Sequence, residues 1–110
     1  MSESVTVPTR KTKEKQEEKT KRQPPYNVIL LNDDDHSFEY VILMLQELFG
    51  HPIEKGYEMA VEVHTKGRVI VDTTTLERAE LKRDQIHAYG PDRRIERCAG
   101  SMSAEIEPAW

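Results

Sequence analysis

The sequence predicts a small α+β domain, an open sandwich of a three-stranded antiparallel sheet and three helices in the order β-α-α-β-α-β, preceded by a disordered charged N-terminal tail. Three observations lead there. A short apolar run at residues 26–31 stops abruptly at the polar cluster Asn32 to Asp35, the mark of a buried strand ending in a turn. Apolar residues then recur at Phe38, Val41, Ile42, Leu45, Leu48 and Phe49, the rhythm of an amphipathic helix. Near the end of the chain, residues 101–107 alternate with period two, as an edge strand does.

Each element has its own signals. From Met1 to about Pro25 nothing repeats with an apolar period, and the stretch Lys11 to Arg22 has nothing to bury, so it stays solvated. Pro24 and Pro25 end it as a semi-rigid spacer, which divides the chain into an extension over 1–25 and a domain over 26–110. The first helix stops at Gly50 and Pro52. Ile53, Tyr57, Ala60, Val61 and His64 repeat the helical rhythm in a second helix that places His64 on its apolar face and exits at Lys66 and Gly67. Val69 to Val71 reads as a strand, and Thr74 or Thr75 can cap a third, mostly polar helix running to about Tyr89, where Gly90 and Pro91 stop it. A charged loop leads to the last strand. Runs of strand and helix in this order pack as one sheet with its helices on one face.

Composition narrows the function classes. With 110 residues and 36% hydrophobic content, one modest core is all the chain can bury. Net charge is -4, but residues 1–25 carry seven Lys/Arg against four Asp/Glu, leaving nine against sixteen in the rest. An acidic body lacks the clustered cationic face of a nucleic-acid binder. Cys98 is the single cysteine, so neither an intrachain disulfide nor a Cys-x-x-Cys metal site can form, and a reducing compartment is the natural setting. With no apolar stretch near the roughly 18 residues of a membrane span, and no signal-peptide core, the expectation is a cytoplasmic protein without membrane partners.

The densest polar cluster is Asn32, Asp33, Asp34, Asp35 and His36, between a strand and a helix start. One reading is a turn with an N-cap, Asp35 or Ser37 accepting from the first helical N–H groups. A calcium loop fits poorly, because the ligands are contiguous and the glycine and bidentate glutamate of an EF-hand are missing. A third reading is cation recognition: Asn32 and the carboxylates offer oxygens that an ammonium can fill. His64 is either a satisfied core histidine or a polar group placed for function. His36, His51 and His87 stand at unrelated spacings, so no zinc pair is present. No nucleophile triad, phosphate loop or paired Cys and His is recognisable, which argues for a non-enzyme without cofactor or metal.

Taken together, Val28 to Asp34, Phe38 to Ile42 with Leu45, Ala60 to Gly67, Ala79 to Lys82 and the terminal Met102 to Ala109 resemble the ClpS adaptor family in order and spacing, over about residues 26–109. The resemblance implies a module of the N-end rule that binds proteins whose first residue is Leu, Phe, Tyr or Trp and delivers them to the N-terminal domain of a ClpA or ClpC type AAA+ unfoldase of the Clp protease. On this resemblance Asn32 and Asp34, with Asp33 beside them, and His64 hold the substrate's α-amino group. Val41 and Val63 line a side-chain pocket with Met102 at its rim, and Glu77 and Lys82 face the unfoldase, although a solvated helix face explains those two charges equally well. Phe38 and Ala60 stand where the family usually has pocket methionines, His36 where a threonine is common and Asp35 where an aromatic is common. The alternative is a plain interaction module of the same fold, docking on an unfoldase or another protein as inhibitor or scaffold.

The polar tail, reaching about 5–6 Å times the square root of its length, suits delivery rather than binding. Deleting Met1 to Gln23 should leave peptide affinity unchanged in a titration while abolishing stimulated degradation in a reconstituted protease assay; full-rate delivery by the truncated chain would make the tail a solubilising appendage.

Overall fold

Strand β1, Tyr26–Leu31, is the centre of the architecture because its β-branched and leucine side chains need cover on every side. In the computed structural model, which describes residues 23–95 and 100–110, Val28, Ile29 and Leu30 are all completely buried. The tail to residue 22 and the loop position Cys98 lie outside the described residues. The chain continues through α1 (Phe38–Phe49), α2 (Ile53–Lys66), β2 (Arg68–Thr74), α3 (Leu76–His87) and β3 (Ser103–Pro108). The sheet order is β2-β1-β3 with both pairings antiparallel, so the predicted fold class is the observed one.

Local chemistry sets the boundaries. Ser37, not Asp35, caps α1, its hydroxyl accepting from the Tyr40 N–H at 3.2 Å, and Thr75 rather than Thr74 does the same for α3 through Arg78 N–H at 3.3 Å. Helices α1 and α2 both end on a glycine in the left-handed region, Gly50 at φ 73 and Gly67 at φ 87, a conformation that costs other residues steric strain. Gly56 is buried in α2 with Ile42 Cα 3.3 Å from where a Cβ would stand, so the first two helices approach closely. The α3 helix stops two residues short of Tyr89. Strand β2 runs three residues beyond Val71 because Asp72, Thr73 and Thr74 pair with Val28, Asn27 and Tyr26; the ladder overrides their polarity. Strand β3 begins at Ser103, two residues later than the alternation suggested.

Between Val28 and Ile29 the β1–β2 register skips Val71, a bulge of one extra residue. The Val71 carbonyl accepts from His51 Nε2 at 2.7 Å, which fixes that tautomer and leaves no orphan at the bulge. His51 itself stacks on Phe49 at 5.8 Å. Val28, Leu30, Val69, Val71 and Ala104 of the sheet join Tyr40, Val41, Met44, Leu45, Ala60, Val63, Ala79, Ile86 and Met102 in one core. Each larger aliphatic buried there contributes about 1.5–3 kcal/mol relative to exposure.

A single buried carboxylate ties the α3–β3 loop to the start of α1. Asp92, 1% exposed, accepts from the Ser37 N–H at 2.6 Å and the Arg94 N–H at 3.0 Å, while Tyr40 donates its hydroxyl to the Gly90 carbonyl at 2.5 Å. Burial alone would raise the Asp92 pKa, but the hydrogen bonds from Ser37 and Arg94 and the guanidinium charge outweigh it and hold the carboxyl below its ordinary 3.8. Next to it, burial first and then a hydrogen bond with Glu47 push the Tyr89 phenol up to about 12. A depressed carboxyl stabilises the fold above its unfolded-state pKa, and that contribution disappears as pH falls through the lower folded-state value. Asp92→Asn should therefore cost about 1–3 kcal/mol at neutral pH. In urea unfolding the gap from wild type should narrow below pH 3.8; a gap independent of pH would show that the charge contributes nothing.

Candidate functional site

The site grows from the C-terminal end of β1. There the Asn32 N–H donates to the Gly67 carbonyl at 3.0 Å, binding the acceptor loop to the end of α2. Gly67 in turn donates to Val63 at 2.9 Å as the helix cap, so Asn32 is held one helical turn from His64. Within the loop, Asp33 Oδ1 accepts from the Asp35 N–H at 2.9 Å, closing a local turn, and also meets His36 Nδ1 at 2.6 Å. Asp33 is half-buried and Asp34 exposed.

Opposite the loop, α1 opens with Phe38, 36% exposed. Its ring lies edge-on to two rings of α2, Tyr57 at 6.1 Å and His64 at 5.5 Å, each inclined by 72°. Positions seven apart on a helix share a face, so Phe38 spans the gap between Tyr57 and His64, above the turn that carries Ala60. Val41, Ala60, Val63 and Met102 are between 0% and 3% exposed, and all are members of the core. Oxygen acceptors, exposed ring edges and an apolar core are the chemistry that a group carrying both N–H donors and a hydrophobic side chain would need.

The apolar face assigned to the second helix needs correction. Ala60 is buried and Val61 half-buried, but Ile53, Tyr57 and His64 are exposed, so His64 is no core histidine. The rhythm is real, but the sheet has only three strands, too few to cover the whole stripe. Sequence reasoning did not single out the contact of Tyr57 with Phe38; the spacing of seven between Tyr57 and His64 was the available signal. On the other side of the molecule, Glu77 is exposed and borders a surface cleft of about 520 Å³ with Pro24, Pro25, Leu76 and Trp110. Lys82 is not beside it. It is 9% exposed, donates to the Leu48 carbonyl, and stands 5.4 Å from the centre of the Phe49 ring.

Comparison with known proteins places this architecture. The family model described as "ATP-dependent Clp protease adaptor protein ClpS" matches residues 21–94, more than half of the chain. The chain belongs to the ClpS family. A ClpS adapter protein of Vibrio atlanticus is 39% identical over 79 residues, covering 70% of this chain and 74% of its own, and one from Pectobacterium carotovorum is 38% identical over 78 residues, covering 71% and 74%. Among solved structures, Agrobacterium tumefaciens ClpS2 bound to L-phenylalaninamide superposes with a TM-score of 0.68 at 25% identity, over 79% of this chain and 99% of that one. ClpS proteins are adaptors of the Clp protease, not a family of enzymes. Among the described residues no helix is long and apolar enough to cross a membrane.

The burial of Lys82 has a structural consequence. The last turn of α1 holds no basic residue of its own, and the Lys82 ammonium supplies from α3 the cation that its carbonyl end favours. Lys82→Met should keep the packing of the stem but leave the Leu48 carbonyl unsatisfied, costing about 1–2 kcal/mol in urea unfolding. An unchanged midpoint would assign the lysine to surface recognition alone.

Proposed function

We propose that this ClpS-family chain recognises the free α-amino group and large hydrophobic first residue of substrate proteins and delivers them to a ClpA or ClpC type unfoldase. Asn32, Asp34 and His64 hold the ammonium, with Asp33 beside them, and Phe38, Val41, Ala60, Val63 and Met102 form the side-chain pocket. Glu77 and Lys82 mark the helix that faces the unfoldase, Glu77 through its exposed carboxylate and Lys82 by fixing α3 against α1. Residues 1–25 are the extension used in delivery, and the cytoplasm is the compartment.

The observation that carries this reading is the ring contact of Phe38 with His64 at 5.5 Å, at the mouth between the acceptor loop and the buried floor. Support comes from the neighbour of known structure, whose ligand L-phenylalaninamide has the chemistry of an amino-terminal Phe: a free amine, an aromatic side chain and an amide in place of the peptide bond. An ammonium carries three donors and no internal peptide bond offers one, so charge and side chain are demanded together. Phe38 also bears on the guest preferred. A rigid ring at the gate excludes β-branched side chains and adds edge contact with an aromatic one, worth about 0.5–1.5 kcal/mol.

Two peptides beginning with Phe and differing only by acetylation of the α-amine test the reading. The free amine should bind by fluorescence anisotropy, the acetylated peptide at least about tenfold more weakly. Asn32→Ala, Asp34→Ala and His64→Ala should each lower affinity by about tenfold or more while the fold is retained, and a Phe-initiated peptide should outbind a Leu-initiated one by about three- to tenfold. Equal affinity for the free and blocked peptides would favour the scaffold or inhibitor alternative.

A further inference from the structure

His36 lies two residues before the gate residue Phe38 and meets oxygen on both sides. Its Nδ1 is 2.6 Å from Asp33 Oδ1 and its Nε2 2.8 Å from the Gly100 carbonyl. Its side chain is only 3% exposed, against 34% for Asp33. A carbonyl oxygen cannot donate, and an ionised carboxylate cannot either. With Asp33 ionised, both bonds coexist when each ring nitrogen carries a hydrogen, the imidazolium form. The surroundings suit that cation. The ring tilts against Tyr40 at 4.5 Å, and the next residue, Ser37, gives its N–H to the Asp92 carboxylate. Arg94 of that loop is engaged by Glu39 at 2.8 Å and Asp92 at 3.5 Å.

We infer that His36 is a positioning residue, an imidazolium that clamps Asp33 of the acceptor loop to the Gly100 carbonyl, so that Asp33 is committed to holding the mouth together rather than to contacting a ligand. The inference rests on the proposed amine-binding reading and refines it. Three chain segments build the mouth: the loop after β1, the entry to α1 with Phe38, and the entry to β3 with Met102. Asp33 lies in the first, His36 two residues from Phe38, and Gly100 two residues from Met102. One imidazolium thus sets the spacing between acceptors, gate and rim across a sequence separation of 64. Without it, the Asp33 turn would keep its bond to the Asp35 N–H, but the β3 entry would lose this link to the acceptor loop.

A double-mutant cycle separates this role from direct ligation. His36→Ala should weaken binding of a Phe-initiated peptide by about three- to tenfold, and Asp33→Asn should weaken it in the wild-type background but not further once His36 is Ala. Multiplying losses would make Asp33 an independent ligand and overturn the clamp. A second readout needs no peptide. In uniformly ¹⁵N-labelled protein, both His36 ring N–H protons should be visible and shielded from water, and the Gly100 amide resonance should move in both single variants. A bare ring nitrogen, or a Gly100 resonance that ignores both substitutions, would overturn the clamp whether or not peptide binds. If wild-type protein shows both ring protons and the Gly100 resonance moves in both variants, yet wild type binds no free-amine peptide, the clamp is supported and the amine-binding reading is refuted instead.

Discussion

Everything at the candidate site depends on where β1 ends, and one backbone hydrogen bond settles that. The Asn32 N–H reaches the Gly67 carbonyl at 3.0 Å, joining the first residue beyond the central strand to the cap of α2. Because Gly67 is already fixed by its own bond to Val63, the acceptor loop inherits the position of the helix that bears His64 and Tyr57. The sheet provides the rigidity behind it, since β1 is paired along its length on both sides, to β2 and to β3. A site held this way has its acceptors on a loop but its geometry on a strand and a helix, the more exact kind of support. The glycine matters here: Gly67 sits at φ 87, where a β-carbon would strain the turn that delivers its carbonyl.

The sequence was most legible where one local signal was enough. Strand β1 and helix α1 fall where the apolar run and the helical rhythm place them, because both are bounded by residues with strong conformational preferences, the Asn32–Asp35 cluster and Gly50. The extension of β2 through Asp72, Thr73 and Thr74 was not legible, since those residues become strand only by pairing with β1. The exposure of Tyr57 and His64 was hidden for a related reason. Periodicity reports which face of a helix is apolar, but not whether a small sheet is wide enough to cover it. Lys82 shows the reverse. Its charge placed it on the surface, yet an alkyl stem long enough to cross from α3 to the end of α1 lets the helix bury it against Phe49 and satisfy the Leu48 carbonyl.

The loop between α3 and β3 was the least readable segment, appearing only as a charged connection. Its described ends instead carry contacts that reach back fifty residues or more: Asp92 to Ser37, Arg94 to Glu39, Gly90 to Tyr40 and Gly100 to His36. All four land on the N-terminal turn of α1 or the residues just before it. Such pairings need no pattern in either partner, only that two turns meet in space, so spacing rules cannot find them. Their effect is to hold the start of α1, and with it Phe38, from the side opposite the acceptor loop.

The paired departures at Phe38 and Ala60 then acquire a physical connection. If Ala60 lines the proposed pocket, an alanine there removes volume from the lining, and the resulting space can either remain as depth for a guest or be taken up by a neighbour. Phe38 is 36% exposed and makes its two ring contacts with Tyr57 and His64, at either end of the turn that contains Ala60. Its ring therefore lies across that turn and is held by edges rather than packed into the core, while Ala60 is fully buried beneath. Edge contacts between rings are worth about 0.5–1.5 kcal/mol each, less than a buried side chain gains from its full complement of contacts. A guest ring that offers Phe38 a replacement edge can displace it at small cost, whereas a branched aliphatic guest removes the same contacts and returns none. Under the proposed function, Phe38 would exchange one aromatic contact for another, and a preference for an aromatic first residue would follow from that exchange.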